Sequence, residues 1–354
     1  MMTKKLNKLS MLVVVVLFTS TNLLTQAQDD KKFTLSGSAD AYFRANFADE
    51  QNQAPGTSFA DDAGFALGMA NLIASYEGEK VGFVADLVFG PRGEDAVFLS
   101  PFGSSNIVNQ LNVFWNVSET TTLTFGNFNT FLGYEVISPT GNFNYSTSYM
   151  FSYGPFSHAG LKADFALSED VGLMLGVFNP TDLTDGNLTG EYNYGAQLAY
   201  KDVFFNAIYG KLGDNLGNVA ADETFQVDLT TGFDISDDFY LGLNSTYNDT
   251  DGAGFYGLAL YPQLATSDEF TIGLRGEYFA VNEFGVGAIG LDSDGDGSVF
   301  AATLTGSLQK GALSIKPELR LDSTSEDTFI GDADLGAIDE SSLASFVLGA
   351  VYAF

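Results

Sequence analysis

Leu313-Ser314-Ile315-Lys316-Pro317-Glu318-Leu319-Arg320-Leu321-Asp322 is the stretch on which the fold of this chain turns. Its odd-numbered positions are Leu, Ile, Pro, Leu and Leu; its even-numbered positions are Ser, Lys, Glu, Arg and Asp. Successive side chains of a strand point to opposite faces, so this segment has one wholly apolar face and one charged face. Four consecutive charges on one face require water. Five apolar residues on the other require lipid or a core.

The same alternation recurs in both directions along the chain. Leu35, Gly37, Ala39, Ala41, Phe43, Ala45 and Phe47 alternate with Ser36, Ser38, Asp40, Tyr42, Arg44 and Asn46. Val203, Phe205, Ala207 and Tyr209 share a face, as do Phe225, Val227, Leu229, Thr231 and Phe233. The pattern predicts strands at 33–47, 64–76, 80–89, 108–118, 120–128, 157–167, 170–179 and 192–200. It continues at 203–211, 224–234, 238–248, 254–262, 269–281, 298–308, 312–322 and 343–354. Strands of about 9–13 residues suit a tilted crossing of a bilayer better than a globular sheet. Their connections alternate between tight turns, such as Glu77-Gly78-Glu79, Lys201-Asp202 and Gln309-Lys310-Gly311, and long loops. An antiparallel up-and-down β-barrel of about sixteen strands has that rhythm, with turns on the periplasmic side; fourteen or eighteen strands remain open. Phe346, Leu348, Ala350, Tyr352 and the terminal Phe354 form a last alternating face. That face resembles the C-terminal signal by which outer-membrane barrels are delivered to the barrel assembly machinery.

Composition removes other classes of function. The 354 residues include 15 Lys+Arg, 45 Asp+Glu, one His and no Cys, for a formal net charge of -30. Without Cys there is no disulfide framework, thiolate metal site or Cys nucleophile. The acidic balance excludes nucleic acid as a partner. Lys4, Lys5 and Lys8, the apolar run Leu9–Phe18 and Thr25-Gln26-Ala27 read as a signal peptide over residues 1–27, leaving 28–354 as the barrel. An exported, aromatic-rich β-chain is expected in the outer membrane of a Gram-negative bacterium, among lipid and lipopolysaccharide.

Residues 126–135 read Gly-Asn-Phe-Asn-Thr-Phe-Leu-Gly-Tyr-Glu, followed by Gly-Asn-Phe-Asn-Tyr-Ser at 141–146 and Gly-Pro-Phe-Ser-His-Ala-Gly-Leu-Lys at 154–162. These stretches resemble the OmpL-like family of β-barrel porins. The resemblance implies an outer-membrane porin, a water-filled channel for passive diffusion of small polar solutes. The matching segment contains the third long loop, about 129–156. In sixteen-stranded porins in general that loop folds into the lumen; the alternative is a surface loop whose aromatics cover the rim.

A barrel of this size leaves an aqueous bore unless something fills it. Charges on the polar parity, Asp40, Arg44, Asp86, Lys162, Asp164, Arg275, Glu277, Lys316, Glu318, Arg320 and Asp322, together with Glu135 of the third loop, are therefore expected to line the pore. Asp292, Asp294 and Asp296 have the spacing of a calcium-binding loop, but position twelve would be Thr303 rather than Glu. Either a low-affinity Ca²⁺ site or a plain acidic hairpin fits; no other cofactor is expected. A hydrolase would need a His beside a nucleophile, and the only one, His158, has no such neighbour in sequence. The competing reading is a non-conducting barrel that acts as adhesin or anchor through its acidic loops. Self-association into oligomers is compatible with either.

Overall fold

The computed structural model describes residues 33–97, 106–184, 186–187, 189–211 and 222–354; the expected signal segment 1–27 lies outside them. Sixteen antiparallel strands close into a barrel. The first eight are β1 (Phe33–Asn46), β2 (Gly64–Glu77), β3 (Val81–Phe89), β4 (Val108–Ser118), β5 (Thr121–Asn129), β6 (Ser157–Ala166), β7 (Val171–Phe178) and β8 (Asn193–Tyr200). Next come β9 (Val203–Gly210), β10 (Thr224–Asp234), β11 (Phe239–Thr250), β12 (Ala253–Ser267), β13 (Phe270–Asn282), β14 (Gly297–Lys310) and β15 (Leu313–Thr324). A two-stranded ribbon, β16 (Phe329–Ile330) with β17 (Ile338–Glu340), stands outside the barrel ladder, and β18 (Ser342–Ala353) closes the ring against β1. Each strand expected from periodicity is present.

Closure is local in its chemistry. Ala41 pairs with Ala350 and Phe43 with Leu348, and Gly37 and Phe354 exchange two backbone hydrogen bonds of 3.0 Å. The terminal residue therefore takes part in the seam. Proline marks two gaps: the β12–β13 register skips Pro262, and the β14–β15 register skips Pro317. A residue without an N–H cannot complete the ladder on that side.

Apolar parity faces outward. Leu319, Leu321, Phe300, Leu304 and Leu348 are exposed on the outer surface. Exposed Tyr194, Tyr209 and Tyr278 stand where strands meet long loops, and Tyr247 and Tyr256 beside the β11–β12 turn at the same end of the barrel, with Trp115, Tyr200 and Tyr352 near the short turns of the other end. Two such girdles bound the apolar band of a transmembrane barrel. The core lies instead on the inner side. Its largest cluster joins Tyr149 and Met150 to Phe255, Tyr261, Phe279, Val281 and Ala288, that is, a loop packed against inward side chains of β12 and β13.

Candidate functional site

Residues 130–156 leave β5 and return to β6, and their route is set by what they touch. Gly133, at φ +85°, turns the chain so that its N–H donates to Asp228 Oδ1 of β10 at 2.9 Å. Asn206 and Asn244 donate to the same carboxylate. Tyr134 then stacks on Tyr261 with centroids 4.3 Å apart, its hydroxyl 3.0 Å from that of Tyr240. The ring lies over Gly242, where a Cβ would fall 2.4 Å from its Oη. A larger residue at 242 would evict it.

Beyond Tyr134 the loop meets the charged faces of β13 and β15. Arg275 donates from Nη1 to Glu135 at 2.6 Å and to the Ser146 carbonyl at 2.7 Å, and from Nη2 to Thr303 at 3.1 Å. Glu318 accepts the N–H groups of Tyr145 and Ser146 at 2.5 and 3.0 Å. Glu277 accepts those of Tyr149 and Met150 at 3.0 and 2.8 Å, at the start of the short helix α2 (Tyr149–Tyr153). Ser148 caps that turn by accepting from Phe151 N at 3.1 Å. Lys316 donates to the carbonyls of Pro139 and Asn142, and Arg320 to that of Thr147, while Arg320 also chelates Asp322. Asp40 of β1 accepts the Tyr145 hydroxyl. Burying a charge is tolerable only when it is paired or hydrogen-bonded, and bonds to charged groups contribute about 1.5–3 kcal/mol each. The alternating charges of the strands and the bare backbone of the loop satisfy one another.

This arrangement revises the expected lining. Of the twelve candidate residues, Arg44, Asp86, Glu135, Arg275, Glu277, Lys316, Glu318, Arg320 and Asp322 are buried. All but Glu135, which belongs to the loop, stand on the inward parity of strands, but their polar atoms meet loop or neighbouring strand rather than open water. Arg44 donates to the carbonyls of Gln53 and Asp61, and Asp86 accepts from Asn71 and Asn109. Asp40 is half-buried. Lys162 and Asp164 keep about a quarter of their side-chain surface and pair with each other at 2.9 Å.

Several residues of this site have no mark in the sequence. Arg92, in the short helix α1 (Pro91–Ala96) after β3, donates to the carbonyls of Ile137 and Tyr145 at 2.8 and 3.2 Å and lies 4.4 Å from the Phe59 ring centre. Burial pushes the hydroxyls of Tyr134, Tyr145 and Tyr149 upward, so they stay neutral. Asp182, after β7, accepts from Phe156 N and Ser157 N at 2.8 and 2.7 Å where the loop rejoins the wall; desolvation pushes its carboxyl up to about 7. His158 packs between Phe131 and Phe178 with Nε2 2.9 Å from Thr130 Oγ1. That is a packing role.

The acidic loop before β14 closes on itself. Asp292 Oδ1 accepts the N–H groups of Asp294 and Asp296 at 2.9 and 3.0 Å, and Asp296 Oδ1 accepts that of Glu283. Among the described residues, no group of three or more His, Cys, Asp or Glu is placed to hold a metal. Asp292 and Asp296 thus each accept backbone amides of this loop.

A family model described as "Putative beta-barrel porin-2, OmpL-like" matches residues 32–354. The chain belongs to this family. The porin's fold is also that of solved outer-membrane channels. OprB of Pseudomonas putida is 12% identical with a TM-score of 0.60, over 92% of this chain and 94% of that one. The anion-selective porin of Comamonas acidovorans is 12% identical at 0.58, over 91% and 99%. The channel DcaP of Acinetobacter baumannii is 13% identical at 0.57, over 91% and 97%. At such identities the likeness is one of fold. No curated protein matches the chain. Family and barrel together make this an outer-membrane porin.

Proposed function

We propose that this porin passes small polar solutes through a bore narrowed by residues 130–156, and that this segment sets the narrowest cross-section. The observation that carries the reading is the double row of bonds from β13 and β15 to the loop backbone: Arg275 and Glu277 from one strand, Lys316, Glu318 and Arg320 from the next but one. A loop held at so many points along its length acts as a rigid partition, and conduction through such a site follows the remaining bore. The solutes this suits are neutral or weakly charged, because most wall charges are engaged by the loop.

The test is to shorten the loop between Val136 and Ser148 and measure single-channel conductance in planar bilayers. The shortened protein is expected to conduct more and to admit larger sugars in liposome swelling. Unchanged conductance from a correctly inserted barrel would overturn the constriction, and a wild-type barrel that does not conduct would favour an anchoring role.

A further inference from the structure

The charges left in contact with solvent on the inner wall are few, and they are not those the alternation makes most conspicuous. Of the bases on inward strand positions, Arg44, Arg275, Lys316 and Arg320 are 5% exposed or less. Each of the four donates to loop carbonyls, and Arg44, Arg275 and Arg320 donate to polar side chains as well. Lys162 is different. Among the described residues it is the base on the inward face of the barrel whose side chain stays partly open to solvent, at 25% exposure. It sits four positions along β6 from His158, about 13 Å into the barrel from where the loop rejoins the strand. Among the described residues its one ionic partner is Asp164, two residues on along the same face and 26% exposed. Its ammonium lies 5.5 Å from the centre of the Phe128 ring, which braces it from β5.

We infer that Lys162 and Asp164 together determine the ion preference of this porin, Lys162 drawing anions and Asp164 cations, while the more numerous buried wall charges do not. The inference rests on the reading of the protein as a conducting channel. The reason is electrostatic. Arg275, Lys316 and Arg320 spend their fields on carboxylates and carbonyls in contact with them. A solvated charge at the edge of the bore acts directly on a passing ion, within a screening length of about 8–10 Å. At a separation of about 4 Å in a water-like medium, with screening, one unit charge changes local ion occupancy roughly threefold. With both charges present the effects oppose, so the pair confers weak preference. Removing either member unmasks the other.

The experiment is the reversal potential of Lys162→Gln and Asp164→Asn channels under a potassium chloride gradient in planar bilayers, beside wild type and Lys162→Arg. Lys162→Gln should shift the cation-to-anion permeability ratio roughly tenfold towards cations, because the occupancies of the two ions change roughly threefold in opposite senses. Asp164→Asn should shift it by a similar factor towards anions, and Lys162→Arg should keep the wild-type value. Conductance should change little in all three, because none of these side chains anchors the loop. Reversal potentials unchanged in both charge-removing variants of a conducting porin would overturn the assignment while leaving the channel reading intact. A wild-type barrel without conductance would overturn both. Equal shifts in Lys162→Gln and Lys162→Arg would show that packing at position 162, rather than charge, matters, and would also overturn it.

Discussion

Arg275→Met should free the inner loop. In the wild type this guanidinium is fully buried and joins three partners: Glu135, the Ser146 carbonyl and Thr303. Methionine keeps much of the volume but leaves the Glu135 carboxylate, 4% exposed, with the Ser148 N–H at 2.7 Å and no cation in contact. Removing one member of a buried ion pair costs about 3–5 kcal/mol, chiefly because the other charge stays uncompensated. That cost falls on the anchored state of the loop, not on the barrel ladder, and shifts the anchored-to-released equilibrium by roughly 10²–10⁴. Single-channel recordings should show higher or fluctuating conductance, and hydrogen exchange over 130–156 should quicken while the strands stay protected. A second change, Glu135→Leu in the same protein, should recover part of the loss, because neither charge is then left buried. Wild-type conductance together with wild-type exchange in Arg275→Met would refute the idea that this pair holds the loop.

Deleting Phe354 removes both seam hydrogen bonds to Gly37 and should lower the amount of heat-modifiable, membrane-inserted barrel well below that of a long-loop deletion; equal levels would count against the seam argument. Cysteines placed at Glu119, Lys201 and Lys310, in the short turns, should escape impermeant thiol reagents in intact cells, whereas those at Asp222 and Asp332 should label; the reverse would invert the orientation. Asp182, with its carboxyl pushed up to about 7 by desolvation, favours folding most when protonated, so its contribution is full below pH ~4 and lost as pH rises through about 7. Asp182→Asn should therefore lessen the fall in thermal stability between pH 5 and 8 seen in wild type, and an identical pH profile in the two proteins would exclude that role.

The barrel was legible because its information is local. Lys316, Glu318, Arg320 and Asp322 fall on one parity and Ile315, Pro317, Leu319 and Leu321 on the other, whatever the rest of the chain does, since strand geometry places neighbours on opposite faces. Tight turns fell where Glu77-Gly78-Glu79 and Gln309-Lys310-Gly311 predicted them, and the stretch at 126–162 holds the long connection between β5 and β6. What the charged parity faces is a different kind of fact. Arg275 meets Glu135 across 140 residues and Glu318 meets Tyr145 N across 173, and no period or spacing encodes which polar group will arrive at such a distance. Arg92 and Asp228 likewise look like ordinary surface charges until tertiary structure brings the backbone of Ile137 and Gly133 against them. The sequence alone determines that the inner wall is charged. Tertiary structure decides that the loop consumes most of that charge and leaves Lys162 and Asp164 partly exposed, because burial depends on which segments meet and not on which residue types they carry.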